Sequence, residues 1–209
     1  MARNAPVQAR SIASMNRMLD AGEQLFYEGG SAAVTLEAIV ERSETSVGSF
    51  YARFGDVRGF LDAMHERVLT TLAAEFMEAF AKASAEDDLE SFLNTLLTET
   101  FDLIHRHRAP TYFFAVGNSH DQEWRAMGSQ FTIGMNDAFT MFLKGYLPKS
   151  SSAASKRKID VATRMLIAAV FQQIMLDQDE ISRTKISQKV LTAEIARAIT
   201  AYLLATPAK

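Results

Sequence analysis

A chain of 209 residues, 48% of them hydrophobic, can bury a sizeable core as one large domain or two small ones, which excludes disorder as a description of the whole. It holds no cysteine, which excludes disulfide frameworks and thiolate sites, and its net charge of −3 argues against a protein that coats nucleic acid unspecifically. The opening residues include Arg3 and Arg10 but no apolar run of the signal-peptide kind, and the richest apolar stretch, Met165 to Leu176, is too short for a membrane span. The mature chain is expected to start here, in the cytoplasm and without membrane contact.

Strand-like alternation is nowhere sustained, so an all-α fold of about nine helices is expected. From Ser11 to Glu28 the apolar residues Ile12, Met15, Met18, Leu19, Leu25 and Phe26 recur every three or four positions, and Gly29-Gly30 stops the pattern. Thr35 then offers a hydroxyl cap to a two-turn helix carrying Leu36, Ile39 and Val40 and ending near Arg42. After the tight turn Ser43-Glu44-Thr45, a third short helix begins at Ser46. Asp56 is a plausible cap for a long helix in which Phe60, Leu61, Met64, Val68, Leu72, Phe76 and Phe80 form a stripe lasting to about Ala83, long enough to join two domains. Further helical patterns follow at about 87–107, 111–117, 121–146, 156–177 and 185–205, with the Ser-rich stretch from Ser150 to Ser155, after Pro148, expected as a surface loop.

Three short helices, the second and third joined by a tight turn, match the helix-turn-helix plan in which the third helix enters the major groove. The runs TLEAIVER, from Thr35 to Arg42, and SVGSFYARFGD, from Ser46 to Asp56, are more specific than the helical pattern. On Thr35, Ile39, Ser46, Gly48, Ser49, Phe50, Tyr51, Phe54 and Asp56, with Arg58 near the usual basic position, the sequence resembles the TetR family of transcriptional regulators over residues 10 to 60. Glu44 departs from the usual turn glycine, Thr45 from a usual valine, and Val47 sits where a lysine is common.

The resemblance implies a DNA-contacting set, and each member has a physical reason to belong. Thr35 and Ser46 can cap a helix and face a phosphate, while Gly48 lets the third helix approach the groove. Phe50 and Phe54 should plug the three-helix core, leaving Tyr51 to donate to a phosphate and Arg53 and Arg58 to add charged contacts. Base reading would fall to Thr45, Val47 and Ser49, with Val47 suited to a thymine methyl. Residues 1 to 18 hold three arginines and no acid, whereas residues 19 to 58 hold three arginines against seven acids, so any DNA contact must be local.

The spacings Asp62/His65 and Asp102/His105 resemble half of a di-metal helical site, but matching glutamates on further helices are missing, so these read as surface or helix-end histidines. The run from His105 to Arg108 reads as a cationic helix end. Without a phosphate loop, a nucleophile elbow or a zinc motif, no enzyme activity, metal or cofactor is expected.

The expected division is a DNA-binding domain over 1–58 and an effector-binding and dimerisation domain over 59–209. The segments 156–177 and 185–205 are apolar around much of their circumference, and the resemblance implies that they pair with a second copy as a four-helix interface. Its candidates are Met165, Ala169, Gln172, Leu191, Ile195, Ala198, Ile199 and Tyr202. Flexible methionines and flat aromatics suit a small apolar or aromatic effector, with Phe101, His105, Phe113, Phe114, Trp124, Met127, Phe131, Met135, Phe171 and Met175 as candidate contacts. The resemblance implies a homodimeric repressor on a near-palindromic double-stranded operator, released by such an effector. The competing reading is a helical effector- or metal-binding protein with little DNA affinity.

Overall fold

The computed structural model describes residues 5–147 and 152–205, and every regular element among them is helical. The ten α-helices are α1 (Ala5–Gly29), α2 (Leu36–Arg42), α3 (Val47–Phe54), α4 (Val57–Ala83), α5 (Leu89–Arg106), α6 (Arg108–Tyr112), α7 (Gln122–Leu143), α8 (Ala153–Met175), α9 (Gln178–Ile181) and α10 (Gln188–Leu204). A single 3₁₀ turn, Ser31–Ala33, separates α1 from α2, and a π-helical turn, Phe113–Gly117, continues α6.

Side-chain caps decide where several of these helices start. Oxygen atoms of Thr35, Ser46, Asp56 and Asp88 accept from the backbone N–H groups of Ala38, Ser49, Gly59 and Ser91 at 3.2, 3.1, 2.8 and 2.9 Å. Each satisfies an amide that the first helical turn would otherwise leave unpaired. The cap on Ser91 holds the Asp88 carboxyl below its ordinary range, because the ionised form accepts that hydrogen bond best.

The same chemistry corrects the expected Ser-rich loop. Pro148 to Ser151 lie outside the described residues, but Ser152 accepts from the Ser155 amide at 3.1 Å and α8 begins at Ala153. The first helix begins at Ala5, earlier than its apolar periodicity, and the one-turn α9 is the element that the periodicity misses.

Two compact units make up the fold. The first comprises the described residues up to Thr70 together with Ala109–Met127; the second comprises Thr71–Arg108 and the described residues from Gly128 onward. In the first, Met18, Phe26, Ile39, Phe50, Phe60 and Met64 are fully buried. Aromatic rings bring the 109–127 segment into this unit: Phe113 meets Phe26 edge-on at 5.1 Å between centroids, and Phe114 lies 6.3 Å from the same ring. In the second unit, α5 packs against both α8 and α10, which also pack on each other, around Phe92, Leu93, Leu97, Phe101, Leu143 and Ala196. Among the described residues no helix is long and apolar enough to cross a membrane.

Candidate nucleic-acid interface

The α2–turn–α3 segment is held from beneath by aromatic packing. Phe50 is wholly buried, with Phe54 and Phe60 at 5.1 and 5.4 Å from its ring, and Phe54 meets Phe60 edge-on at 5.1 Å. Because Phe50 and Phe54 are one helical turn apart, they bury one side of α3 and turn the opposite side outward. That outward side carries Val47 and Tyr51, 44% and 47% exposed, with Gly48 and Ala52 also exposed.

Gly48 has no intramolecular reason to be glycine. A Cβ built on it would meet nothing nearer than the Ser46 Oγ at 4.0 Å, which is ordinary contact. Glycine inside a helix costs about 1 kcal/mol relative to alanine, so the missing side chain points to something outside the chain that must come close.

The turn takes an unusual form. Glu44 is the only non-glycine with positive φ among the described residues, at 50°, in the left-handed conformation that the usual glycine adopts without cost. The Ser43 and Thr45 hydroxyls lie 2.7 Å apart, so the polar group that Thr45 brings toward the small core is paired there. The Arg17 guanidinium adds a hydrogen bond to the Ser43 carbonyl at 3.2 Å. Thr45 is therefore half-buried and hydrogen-bonded within the turn, not presented as a base reader.

The expected phosphate contacts divide into presented and withdrawn groups. Thr35, Ser46 and Tyr51 are exposed, and Ser49 is half-buried. The Thr35 and Ser46 oxygens accept from backbone amides, which leaves their hydroxyl protons available to an anion. Arg53 instead folds back: its Nε donates to the Ser11 carbonyl at 3.2 Å and a terminal nitrogen donates to the Ser49 carbonyl at 2.9 Å.

Arg58 is more thoroughly committed. It donates to Asp62 at 2.7 Å, to Glu123 at 3.0 Å and to Asp121, and its guanidinium carbon lies 4.5 Å from the centre of the Trp124 ring. Its pKa is raised and that of Asp121 lowered, chiefly by the hydrogen bond they share. The expected phosphate ligand is thus an internal clasp of the first unit.

Around that clasp lies a site that spacing alone misreads. His65, expected at the surface, is 3% exposed: its ring stacks on Phe114 at 4.4 Å and meets Trp124 at 6.0 Å, while the Trp124 indole donates to Asp62 at 2.7 Å. Its Nδ1 is buried with no hydrogen-bond partner among the described residues. Burial pushes its pKa down to about 4, against the pull of Asp62 and Asp121 and with a smaller push from Arg58. Among the described residues no group of three or more His, Asp or Glu side chains is placed to hold a metal ion.

Residues 18–64 match the family model described as bacterial regulatory proteins, tetR family. This chain carries a TetR-family domain. Its whole fold is similar to solved structures of bacterial transcriptional regulators. One, from Aquifex aeolicus, is 19% identical with a TM-score of 0.60, covering 90% of this chain and 98% of that one. Another, from Rhodococcus sp. RHA1, is 11% identical with a TM-score of 0.67, covering 92% and 99%. The fatty acid degradation regulator FadR from Bacillus halodurans is 15% identical with a TM-score of 0.62, covering 89% and 94%. No curated protein matches. The matched domain is that of bacterial regulatory proteins, and the fold of the chain is shared with solved transcriptional regulators.

The expected effector contacts fall in both units. Phe113, Phe114 and Trp124 share the aromatic cluster of the first unit, and Met127 ends that unit, half-buried. In the second, Phe101 is fully enclosed by the core and offers a ligand no surface as packed, whereas His105 faces solvent. Phe131 sits 5.9 Å from Phe76, and Met135 is half-buried. Phe171 and Met175 are 40% and 44% exposed, on the same side of α8 as Met165 and Ala168.

Those exposed residues bear on the expected dimer surface. Met165 and Ala198 are exposed; Ala169, Gln172, Leu191, Ile195 and Tyr202 are half-buried. Ile199, at 2% exposure, packs inside its own chain and cannot meet a partner. Gly59 is a further constrained position, where a Cβ would stand 2.0 Å from the Phe54 carbonyl oxygen. Its signal was a glycine inside a helical pattern, next to the expected cap at Asp56.

Proposed function

We propose that this chain is a ligand-responsive repressor that binds a near-palindromic operator as a homodimer and is released by a small apolar or aromatic effector. Residues 1–58 would read DNA, and residues 59–209 would dimerise and bind the effector, in the cytoplasm. The observation that carries the DNA-binding part is α3 itself, with Phe50 and Phe54 buried, Val47 and Tyr51 exposed, and Gly48 open where nothing in the chain requires it.

Thr35, Ser46, Ser49 and Tyr51 contact phosphates as neutral donors, and Val47 and Gly48 meet the base edges. Arg53 serves mainly to tie α3 to α1, and Arg58 to hold the start of α4 to that of α7. The uncovered apolar side of α8, with Met165, Phe171 and Met175, supports pairing with a second copy, which would set two reading helices about one turn of B-form DNA apart. An effector releases DNA only if it binds one spacing of those helices better than the other. α4 belongs to both compact units and is the element that would carry the change.

Selection from a pool of random duplexes, followed by titration of the enriched duplex, tests the reading. A symmetric site bound by two chains is the expected result. Failure to enrich any duplex, or a monomer in sedimentation at micromolar concentration, refutes it.

A further inference from the structure

On the reading that α3 meets DNA, we infer that it recognises thymine by its C5-methyl group, so that the half-site is thymine-rich and is read without bidentate hydrogen bonds. The usual readers of guanine and adenine are arginine, lysine, asparagine and glutamine. Between Ser31 and Thr70 there is no lysine, asparagine or glutamine, and the first lysine in the whole chain is Lys82. Only arginines remain there, and all four are engaged within the protein. Arg42 pairs with Glu28 at 2.7 Å, Arg53 bonds the Ser11 and Ser49 carbonyls, Arg58 holds its carboxylates, and Arg67 pairs with Asp20.

What α3 presents instead is a short apolar face. Val47 and Ala52 offer methyl groups, Gly48 between them leaves open space, and the neighbouring polar groups are hydroxyls. In the major groove the C5-methyl of thymine is the apolar feature that distinguishes the four base pairs, and a branched valine side chain is its natural contact. The open position at Gly48 lets the helix come near enough for a contact of van der Waals range. This differs from reading by charge, since Val47 gains nothing from guanine or from the cytosine amine.

The test uses duplexes enriched from a random pool by the full chain, with uracil placed for individual thymines. Uracil keeps every Watson–Crick hydrogen bond and loses only the methyl. Each contacted thymine should then lower affinity about four-fold, the worth of one buried methyl-sized group. In Val47→Ala, whose position is exposed and outside the core, that penalty should vanish at one thymine per half-site while thermal unfolding is unchanged. If no duplex is enriched, the DNA-binding reading and this inference fall together. Should enriched duplexes bind equally well with uracil, or should Val47→Ala keep the full penalty at every thymine, methyl reading falls while DNA binding stands.

Discussion

Replacing His65 by phenylalanine probes the physics of the first unit most directly. The imidazole is stacked on Phe114, and its Nδ1 has no hydrogen-bond partner among the described residues, so folding strips this nitrogen of water without compensation. An unpaired buried polar group of this kind costs about 1–3 kcal/mol, so the variant should be more stable at neutral pH if the larger ring is accommodated against Phe114.

The pH dependence gives a cleaner magnitude. The folded imidazole titrates at about 4, lowered from 6.5 by burial among rings. The unfolded chain therefore takes up the proton first as pH falls. Through this group stability is independent of pH above about 6.5, falls below it, and levels off beneath about 4. Integrating between these limits, wild type should lose about 2 kcal/mol at pH 5 through this one group, and the His65→Phe variant carries no such loss. Trp124 is the only tryptophan and lies beside His65, so urea unfolding followed by its fluorescence at pH 7.5 and pH 5 reports on this unit. The two proteins differ at no other residue, so every other contribution cancels in the comparison. Parallel losses in variant and wild type between the two pH values would refute the reasoning.

Other substitutions address the turn and the reading helix. Glu44→Gly should raise stability by about 1 kcal/mol in thermal unfolding, because glycine adopts a φ of 50° without the strain of a side chain, and it should tighten DNA binding by removing an acid. Gly48→Ala should stabilise the fold by about 1 kcal/mol yet weaken duplex binding at least ten-fold in anisotropy titrations, since the added methyl meets nothing in the protein but occupies the approach to DNA. Gly59→Ala should cost about 3 kcal/mol or more, read as a lowered urea midpoint, because its Cβ would stand 2.0 Å from a backbone oxygen that cannot swing aside. Tyr51→Phe removes only the exposed hydroxyl and should weaken specific and unspecific duplexes alike by about 1 kcal/mol, with no change in the preferred sequence.

Much of the architecture was legible from local chemistry. The caps at Thr35, Ser46 and Asp56 were read from single side chains, because capping needs only a short polar group ahead of an apolar turn. Phe50 followed from helical spacing, which fixes the side of a helix on which a residue lies, whereas Gly48 followed from the resemblance. The departure at Glu44 was visible against the resemblance, and the structure gives it the left-handed φ that the usual glycine adopts without cost.

Spacing is silent about what a side chain meets when it reaches its face, and here tertiary structure decided. Asp62 and His65 looked like a solvated pair, but an aromatic segment from much further along the chain closes over the imidazole. Arg58 looked like a phosphate ligand until Asp121, Glu123 and Trp124 arrived from the start of α7. Ile199 shared a stripe with true surface residues, yet it turns into the core of its own chain. The sequence by itself determined the helices, their caps and the outward side of α3, because those depend on neighbours within a turn or two. Which charges remain free for DNA was decided only by folding, because an arginine bonds to whichever carboxylate or carbonyl the distant chain brings within reach.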